Sequence, residues 1–372
     1  MKSYIKGMDI STLYEIEKCG AKYYDNGIEK DLLEILQSYG ANAIRLRLWN
    51  NPYSETGEAY GAGTNDLATT IHLSKRAKAK GMDILLDFHY SDFWTDPGKQ
   101  IIPKAWKDFS VEQLELEVYK YTKEVLEELE ENNVFPDIIQ VGNELSNGLL
   151  WPYGKVPEYD NIAKFINAGI RGIRAVNKQV PIMLHLDNGG NNELYHEWFD
   201  EFLKRGEEFQ VIGLSYYPFW HGSMEELATN MNDLALRYKK DLIVAEVSMG
   251  FTMEDYAEYE KLSPDERKGM ATKPHLVEKL NYEMTKEDQC KFIEDVLKVI
   301  EEVPEHRGKG FFYWEPGWLP VPKCEWASKS ARDYVGDQGA GGNEWANQAL
   351  FDYEGNALPS LKVIKNYRPK EL

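Results

Sequence analysis

Eight short apolar runs recur along the chain, and most are followed by a segment in which apolar residues return at helical spacing. The runs are Met8–Ser11, Ala43–Trp49, Asp83–Tyr90, Ile138–Glu144, Pro181–Asp187, Val211–Tyr217, Leu242–Ser248 and Gly310–Glu315. Their shortness, their bounding turn residues and their β-branched and aromatic content predict buried parallel strands rather than pieces of helix. The intervening segments carry recognisable helix ends. Leu32, Ile35, Leu36 and Tyr39 share one face, and Gly40 follows as a stop. Ser110 with Gln113, and Ser223 with Glu226, have the spacing of capping boxes, in which each side chain satisfies the other's backbone amide. The first opens a helix bearing Leu114, Val118, Tyr121, Val125 and Leu129, and another begins near Thr285 with Phe292, Ile293, Val296, Leu297 and Ile300 on one side. Eight strands alternating with helices predict an α/β fold, a (β/α)8 TIM barrel.

The connections are asymmetric. Helix-to-strand links are short, as at Gly40-Ala-Asn42 and Gly81-Met82, whereas strand-to-helix links are long: Asn50–Asn65 spans 16 residues and Met249–Met284 spans 36. Long loops within a compact domain are usually functional, and in this fold they gather at the C-terminal ends of the strands. With no low-complexity tract or Pro- or Ser-rich linker, residues 1–372 read as one domain.

Composition narrows the partners. The net charge of −19 opposes nucleic acid or an anionic membrane, both of which need an excess of Lys and Arg. The chain carries 10 Trp, 23 Tyr and 14 Phe, and many of these fall in the predicted loops: Tyr53, Tyr60, Phe93, Trp94, Trp106, Trp151, Tyr153, Phe219, Trp220, Trp318, Trp326 and Trp345. That placement predicts a flat aromatic binding surface beyond the strand ends. Cys19, Cys290 and Cys324 have neither disulfide nor zinc spacing and read as structural thiols. No run approaches the length of a membrane span, and the strand-like start leaves no room for a signal peptide. The expectation is a monomer, either cytoplasmic or secreted with its signal absent from this chain.

Two carboxylates stand out. Glu144 ends the fourth run, Ile-Ile-Gln-Val-Gly-Asn-Glu, and Glu246 lies within the seventh, Leu-Ile-Val-Ala-Glu-Val-Ser. A carboxylate among apolar strand residues is costly unless it faces a polar cavity. Either one alone could cap a helix or pair with a lysine. Two on strands that share one barrel mouth suit glycoside hydrolysis, with one carboxyl as acid/base and the other as nucleophile. Arg45 alternates with apolar residues in Ala-Ile-Arg-Leu-Arg-Leu-Trp and could lend positive charge to the nucleophile. Arg47 shares its face, so the choice between them stays open, as does a purely structural role for both.

The motifs are longer than that pair. Gly7-Met-Asp-Ile-Ser11, Ile44-Arg-Leu-Arg-Leu-Trp-Asn50, Leu86-Asp-Phe-His-Tyr-Ser-Asp-Phe-Trp94 with Asp96-Pro-Gly98, Gln140-Val-Gly-Asn-Glu144, Gly213-Leu-Ser-Tyr-Tyr-Pro218 and Trp314-Glu-Pro316 together resemble clan A glycoside hydrolases, and within them family 53, the endo-β-1,4-galactanases. The resemblance runs from Gly7 to about Asp352. It implies retaining hydrolysis of β-1,4-galactan or type I arabinogalactan by double displacement, with galacto-oligosaccharides as further ligands. It also implies that Glu144 is the acid/base, Glu246 the nucleophile, and Asn143 a partner of the sugar 2-hydroxyl. Arg45 would hold Glu246 ionised. Tyr217, on the inward parity of its strand, would orient the nucleophile, with Tyr216 as the other candidate. Trp314 would floor the subsite of the cleaved unit, and His89 and Trp94 would touch sugar, although His89 could be a satisfied core residue. Asp187 and Asn188 are placed to bond sugar hydroxyls, or else simply to make the turn of Asp-Asn-Gly-Gly.

Relatives of this kind often hold structural calcium in the loop after the seventh strand. Phe251–Glu283 lacks the alternation of oxygen ligands that calcium needs, so no metal and no cofactor are expected. The rival activities are a β-mannanase or cellulase of the same clan, and a carbohydrate-binding barrel without catalysis. A metal-dependent barrel is disfavoured because none of the seven His forms a His-x-His run.

Overall fold

The computed structural model describes residues 4–254, 256, 273–339 and 341–369. Eight parallel strands close into a barrel: β1 (Ile5–Asp9), β2 (Ala43–Leu48), β3 (Asp83–Phe88), β4 (Ile138–Val141), β5 (Ile182–Leu186), β6 (Val211–Tyr216), β7 (Asp241–Val247) and β8 (Gly308–Trp314). Each pairs with its sequence neighbours, and β1 closes the ring by pairing with β8. Helices α1 (Leu32–Ser38), α2 (Leu67–Ala79), α3 (Val111–Glu131), α4 (Tyr159–Val176), α5 (Asn192–Leu203), α6 (Met224–Tyr238), α7 (Lys286–Glu301) and α8 (Ser360–Asn366) follow the strands in turn. The chain is therefore a (β/α)8 barrel. Both expected capping boxes form, at Ser110 and Ser223, and Thr285 caps α7 by accepting a hydrogen bond from the Asp288 amide. The periodicity gave no sign of a short helix at Leu13–Lys18 or of two ribbons, Tyr23–Asp25 with Ile28–Lys30 and Gly148–Leu149 with Gly154–Lys155.

The barrel interior is apolar below and polar above. Inward residues of the lower layer, among them Ile5, Ala43, Leu85, Ile138, Met183, Val211, Ile243 and Phe312, form their own buried cluster. Gly7 is required there, because a Cβ would stand 2.2 Å from the Phe312 ring. Higher on the same strands the inward positions carry Asp9, Arg45, Asp87, Gln140, His185 and Ser215, all buried. Alternation along each strand thus stacks a polar layer on an apolar plug.

Several strands end earlier than their apolar runs suggest. β4 stops at Val141 rather than Glu144, and β3 at Phe88 rather than Tyr90. The backbone there turns left-handed, with φ of 77° at Gly142, 49° at Glu144, 50° at Tyr90 and 50° at Glu315. An apolar run records burial but is blind to the sign of φ, so the rim residues looked like strand. β7 departs differently. Leu214 pairs with Val244 and Ser215 with Glu246, so Ala245 is a bulge residue. Ile243 and Ala245 face the interior, and strict alternation would turn Glu246 outward. The bulge turns it into the barrel mouth.

Candidate active site

Arg45, only 1% exposed, is the centre of the polar layer. Its Nη1 lies 2.8 Å from Asp9 Oδ2 and 2.9 Å from Glu246 Oε1, and its Nη2 lies 2.8 Å from Asp87 Oδ2 and 3.0 Å from Asn143 Oδ1. Burial pulls the guanidinium down, but Asp87, Glu246 and Asp9 outweigh it and raise its pKa above the ordinary value. A buried charge so surrounded stays paired, and removing one partner of such a pair costs about 3–5 kcal/mol. Arg47 is held elsewhere. It pairs with Glu315 at 2.6 Å, donates to the Ala62 carbonyl at 2.9 Å and lies 4.1 Å from the Trp94 ring centroid. Both arginines line the cavity, but the contact with Glu246 belongs to Arg45.

Glu144 and Glu246 face each other across the mouth, with a carboxylate oxygen of each, and a ring nitrogen of His185, within 4.8 Å of one another. Glu246 accepts the Tyr217 hydroxyl at 2.7 Å as well as the Arg45 ion pair. Among the described residues Glu144 Oε1 accepts only the neutral Ser215 hydroxyl, at 2.7 Å, and Ser215 Oγ lies 2.9 Å from His185 Nε2. Burial, then the charges of Glu246 and Asp187, push Glu144 well above the carboxylate range. Burial raises Glu246 too, but Arg45 and the Tyr217 hydroxyl oppose it. With one proton to share, Glu144 takes it. Glu144 also sits at φ 49° and ψ 61°, a left-handed conformation that costs a non-glycine residue about 1–2 kcal/mol.

The cavity, about 260 Å³, is lined by Arg45, Arg47, His89, Trp94, Thr95, Asp96, Lys99, Asn143, Glu144, Tyr217, Glu246, Trp314, Trp318, Trp326, Glu344 and Trp345. Of the residues read from sequence it brings together Arg45, His89, Trp94, Asn143, Glu144, Tyr217, Glu246 and Trp314. Tyr216, the other tyrosine candidate, points away and donates to the Gly222 carbonyl at 3.1 Å. His89 Nδ1 accepts from Thr95 Oγ1 at 2.9 Å, so its Nε2–H donates to Asp87 at 3.0 Å, leaving no ring nitrogen free for a ligand. Asp187 and Asn188 are not among the lining residues. The Asp187 carboxylate accepts from Ser146 and Asn188, and it bears on the cavity through its field on Glu144.

The aromatic loop residues divide. Trp94, Trp318, Trp326 and Trp345 wall the cavity, with Trp314 between Trp94 (5.9 Å between centroids) and Trp345 (4.7 Å). Tyr60, Phe93, Trp106 and Phe219 are buried in the hydrophobic core instead. Sequence reasoning passed over Asp9, Asp87, Gln140, His185 and Ser215 as site-building residues. Inward parity on their strands was the available signal. Asp96 was within reach through the Asp96-Pro-Gly98 motif, whereas for Lys99 and Glu344, on loops, there was no signal.

The expectation of no calcium concerns Phe251–Glu283, and most of that segment, 255 and 257–272, lies outside the described residues. Among the described residues Glu144, His185 and Glu246 form one group that could hold a cation. Their geometry suits it poorly. The nitrogens of His185 face Asn143 and Ser215, and a cation at Glu246 would have to displace Arg45.

Comparison with known proteins gives consistent results. Residues 5–364 match the family model described as glycosyl hydrolase family 53. A protein of the bgaB 5′ region of Niallia circulans is 39% identical over 98% of this chain and 94% of its own. The endo-beta-1,4-galactanase of Bacillus subtilis is 35% identical over 98% of this chain and 86% of its own. Among solved structures, the GH53 catalytic domain of Ignisphaera aggregans superposes with a TM-score of 0.88 at 38% identity, covering 98% of this chain and 96% of that one. The family model spans nearly the whole described barrel, and this chain belongs to glycosyl hydrolase family 53.

Proposed function

We propose that the protein is a retaining endo-β-1,4-galactanase that cleaves β-1,4-galactan and the backbone of type I arabinogalactan. The observation that carries the mechanism is the pair Glu144 and Glu246, with oxygens within 4.8 Å and opposite surroundings. A close pair suits double displacement, because inversion needs room for a water between the carboxyls. The substrate class follows from the galactanases to which the chain is similar. A neutral glycan also suits a chain of charge −19, and the tryptophans offer faces for sugar rings.

In this reading Glu246, ionised beside Arg45, attacks the anomeric carbon while Glu144 gives its proton to the departing glycosidic oxygen. The C–O bond breaks, a galactosyl ester forms on Glu246, and Glu144 is left ionised. Glu144 then takes a proton from water as that oxygen attacks the anomeric carbon, and Glu246 leaves as carboxylate. Two displacements retain configuration. Tyr217 holds Glu246 Oε2 at 2.7 Å and so fixes the attacking carboxylate. Asn143, whose Oδ1 is held by Arg45 and whose Nδ2 donates to the Thr95 carbonyl at 2.9 Å, has a second amide hydrogen to offer the sugar 2-hydroxyl. No step calls for a cofactor.

A panel of pectic galactan, mannan and cellulose tests this, with products sized and the anomer followed by NMR. Galactan should yield short β-configured oligosaccharides while mannan and cellulose stay intact, and chelator should leave the rate unchanged. Cleavage of mannan or cellulose with galactan untouched would overturn the substrate class. An initial α-anomer would overturn retention, and loss of activity with EDTA would overturn the metal-free mechanism.

A further inference from the structure

Glu144 sits in a backbone conformation that its own side chain disfavours, and the group that holds it lies behind the cavity wall. β4 ends at Val141, Gly142 turns the chain at φ 77°, and Glu144 follows at φ 49°. A left-handed glutamate left to itself relaxes toward ordinary backbone, and such residues persist where their surroundings over-determine them. The turn also takes carbonyls out of the strand ladder, and these need donors. Gln140 Nε2 donates to the Gly142 carbonyl at 2.9 Å. Gln100, on the loop after β3, donates from its own Nε2 to the Asn143 carbonyl at 2.9 Å, with the Glu144 carbonyl 3.4 Å from the same nitrogen.

Gln100 is well placed for this work. It is 2% exposed, it does not line the cavity, and its main-chain oxygen accepts from the Trp151 amide at 2.8 Å. Its neighbours brace the same turn through other atoms: the Thr95 carbonyl accepts from Asn143 Nδ2 at 2.9 Å, and the Pro97 carbonyl from Asn147 Nδ2 at 2.7 Å. Those contacts hold side chains, whereas Gln100 holds the main chain of the Asn143–Glu144 pair. We infer that Gln100 is a positioning residue for the reaction: its amide fixes the Asn143–Glu144 main chain so that the Glu144 carboxyl meets the glycosidic oxygen. The inference rests on the reading of Glu144 as acid/base.

Its signature is dependence on the leaving group. A misplaced acid slows cleavage of galactan, whose leaving sugar must be protonated, but hardly affects a dinitrophenyl β-galactobioside, whose phenolate departs unaided. For Gln100→Leu, kcat/KM on galactan should fall about 10²-fold, the scale of an ångström's misplacement, and on the aryl substrate less than about threefold. KM for galactan should stay within about twofold, since Gln100 is not at the cavity wall. Gln100→Met keeps much of the shape, offers no donor and should show the same split, which serves if the leucine variant does not fold. An equal fall on both substrates, or no fall on galactan, would overturn the inference. Glu144→Ala run alongside should show the split more strongly; if it loses both substrates alike, the acid/base reading fails and the positioning role with it.

Discussion

The two carboxylates of the mouth occupy opposite halves of one barrel, and their surroundings differ more than their sequences do. On the β7 side Glu246 meets a buried cation and a phenol, Arg45 at 2.9 Å and Tyr217 at 2.7 Å. On the β4 side Glu144 meets, among the described residues, one neutral hydroxyl, with the fields of Glu246, Asp187 and Asp96. Burial alone raises both groups, so it cannot separate them. The separation comes from where one guanidinium points, and a buried charge within 3 Å is a large lever. His185, behind Ser215, adds no competing charge, because burial and then Arg45 hold it well below the usual imidazole range. In the proposed mechanism one residue type supplies nucleophile and acid/base because the scaffold sends the cation to only one of them.

The comparison breaks most visibly on the Glu246 side. Glu246→Ala should lose about 10⁴-fold or more on every substrate, activated or not, because no bond can form to the anomeric carbon. A 2-deoxy-2-fluoro-galactoside should label Glu246 in the native protein, as read by peptide mass spectrometry. Label on Glu144 would exchange the two roles.

A smaller and more selective loss is expected on the other side. Glu144→Ala should cost galactan about 10²–10⁴-fold, the usual worth of general acid–base catalysis. With a dinitrophenyl substrate the first step should survive, and azide should restore turnover by replacing the water that Glu144 would activate. Azide that restores nothing would count against this assignment.

The smallest change should sharpen the contrast rather than break it. The Ser215 hydroxyl favours the ionised form of Glu144, so its removal raises the Glu144 pKa further. In the proposed mechanism activity needs Glu144 protonated, so the alkaline limb of kcat/KM should move to higher pH in Ser215→Ala, with kcat lowered about tenfold as the carboxyl loses its anchor. The acid limb, which reports Glu246, should stay where it is. A limb that moves down, or two limbs that move together, would mean that Ser215 does not act on Glu144 alone.

Much of this was legible from local pattern. The barrel followed from eight apolar runs alternating with helices, and the capping boxes at Ser110 and Ser223 follow a rule confined to four residues. The inward direction of Arg45, Arg47 and Tyr217 followed from alternation along a strand. Alternation failed at Glu246, where a bulge at Ala245 reverses the parity, and no composition rule marks that bulge. It also failed at the rim, where Tyr90, Glu144 and Glu315 adopt left-handed backbone inside what reads as strand. Loop residues such as Asp96, Lys99, Glu344 and Gln100 had no period to be read from.

The sequence by itself determined the architecture and the inward-facing arginines, because these depend on periods of two and of about 3.6 that neighbouring residues impose, and it marked the two glutamates as carboxylates set within apolar runs. Which arginine serves Glu246, which tyrosine holds it, which tryptophans wall the cavity and which fill the core were decided only by tertiary structure. Those choices depend on distances between side chains far apart in the chain, Arg45 to Glu246 above all, and on a bulge and a left-handed turn that local pattern does not encode. An electrostatic difference between two identical side chains arises from such distances, because the pull of a single buried charge on each of them scales inversely with its distance.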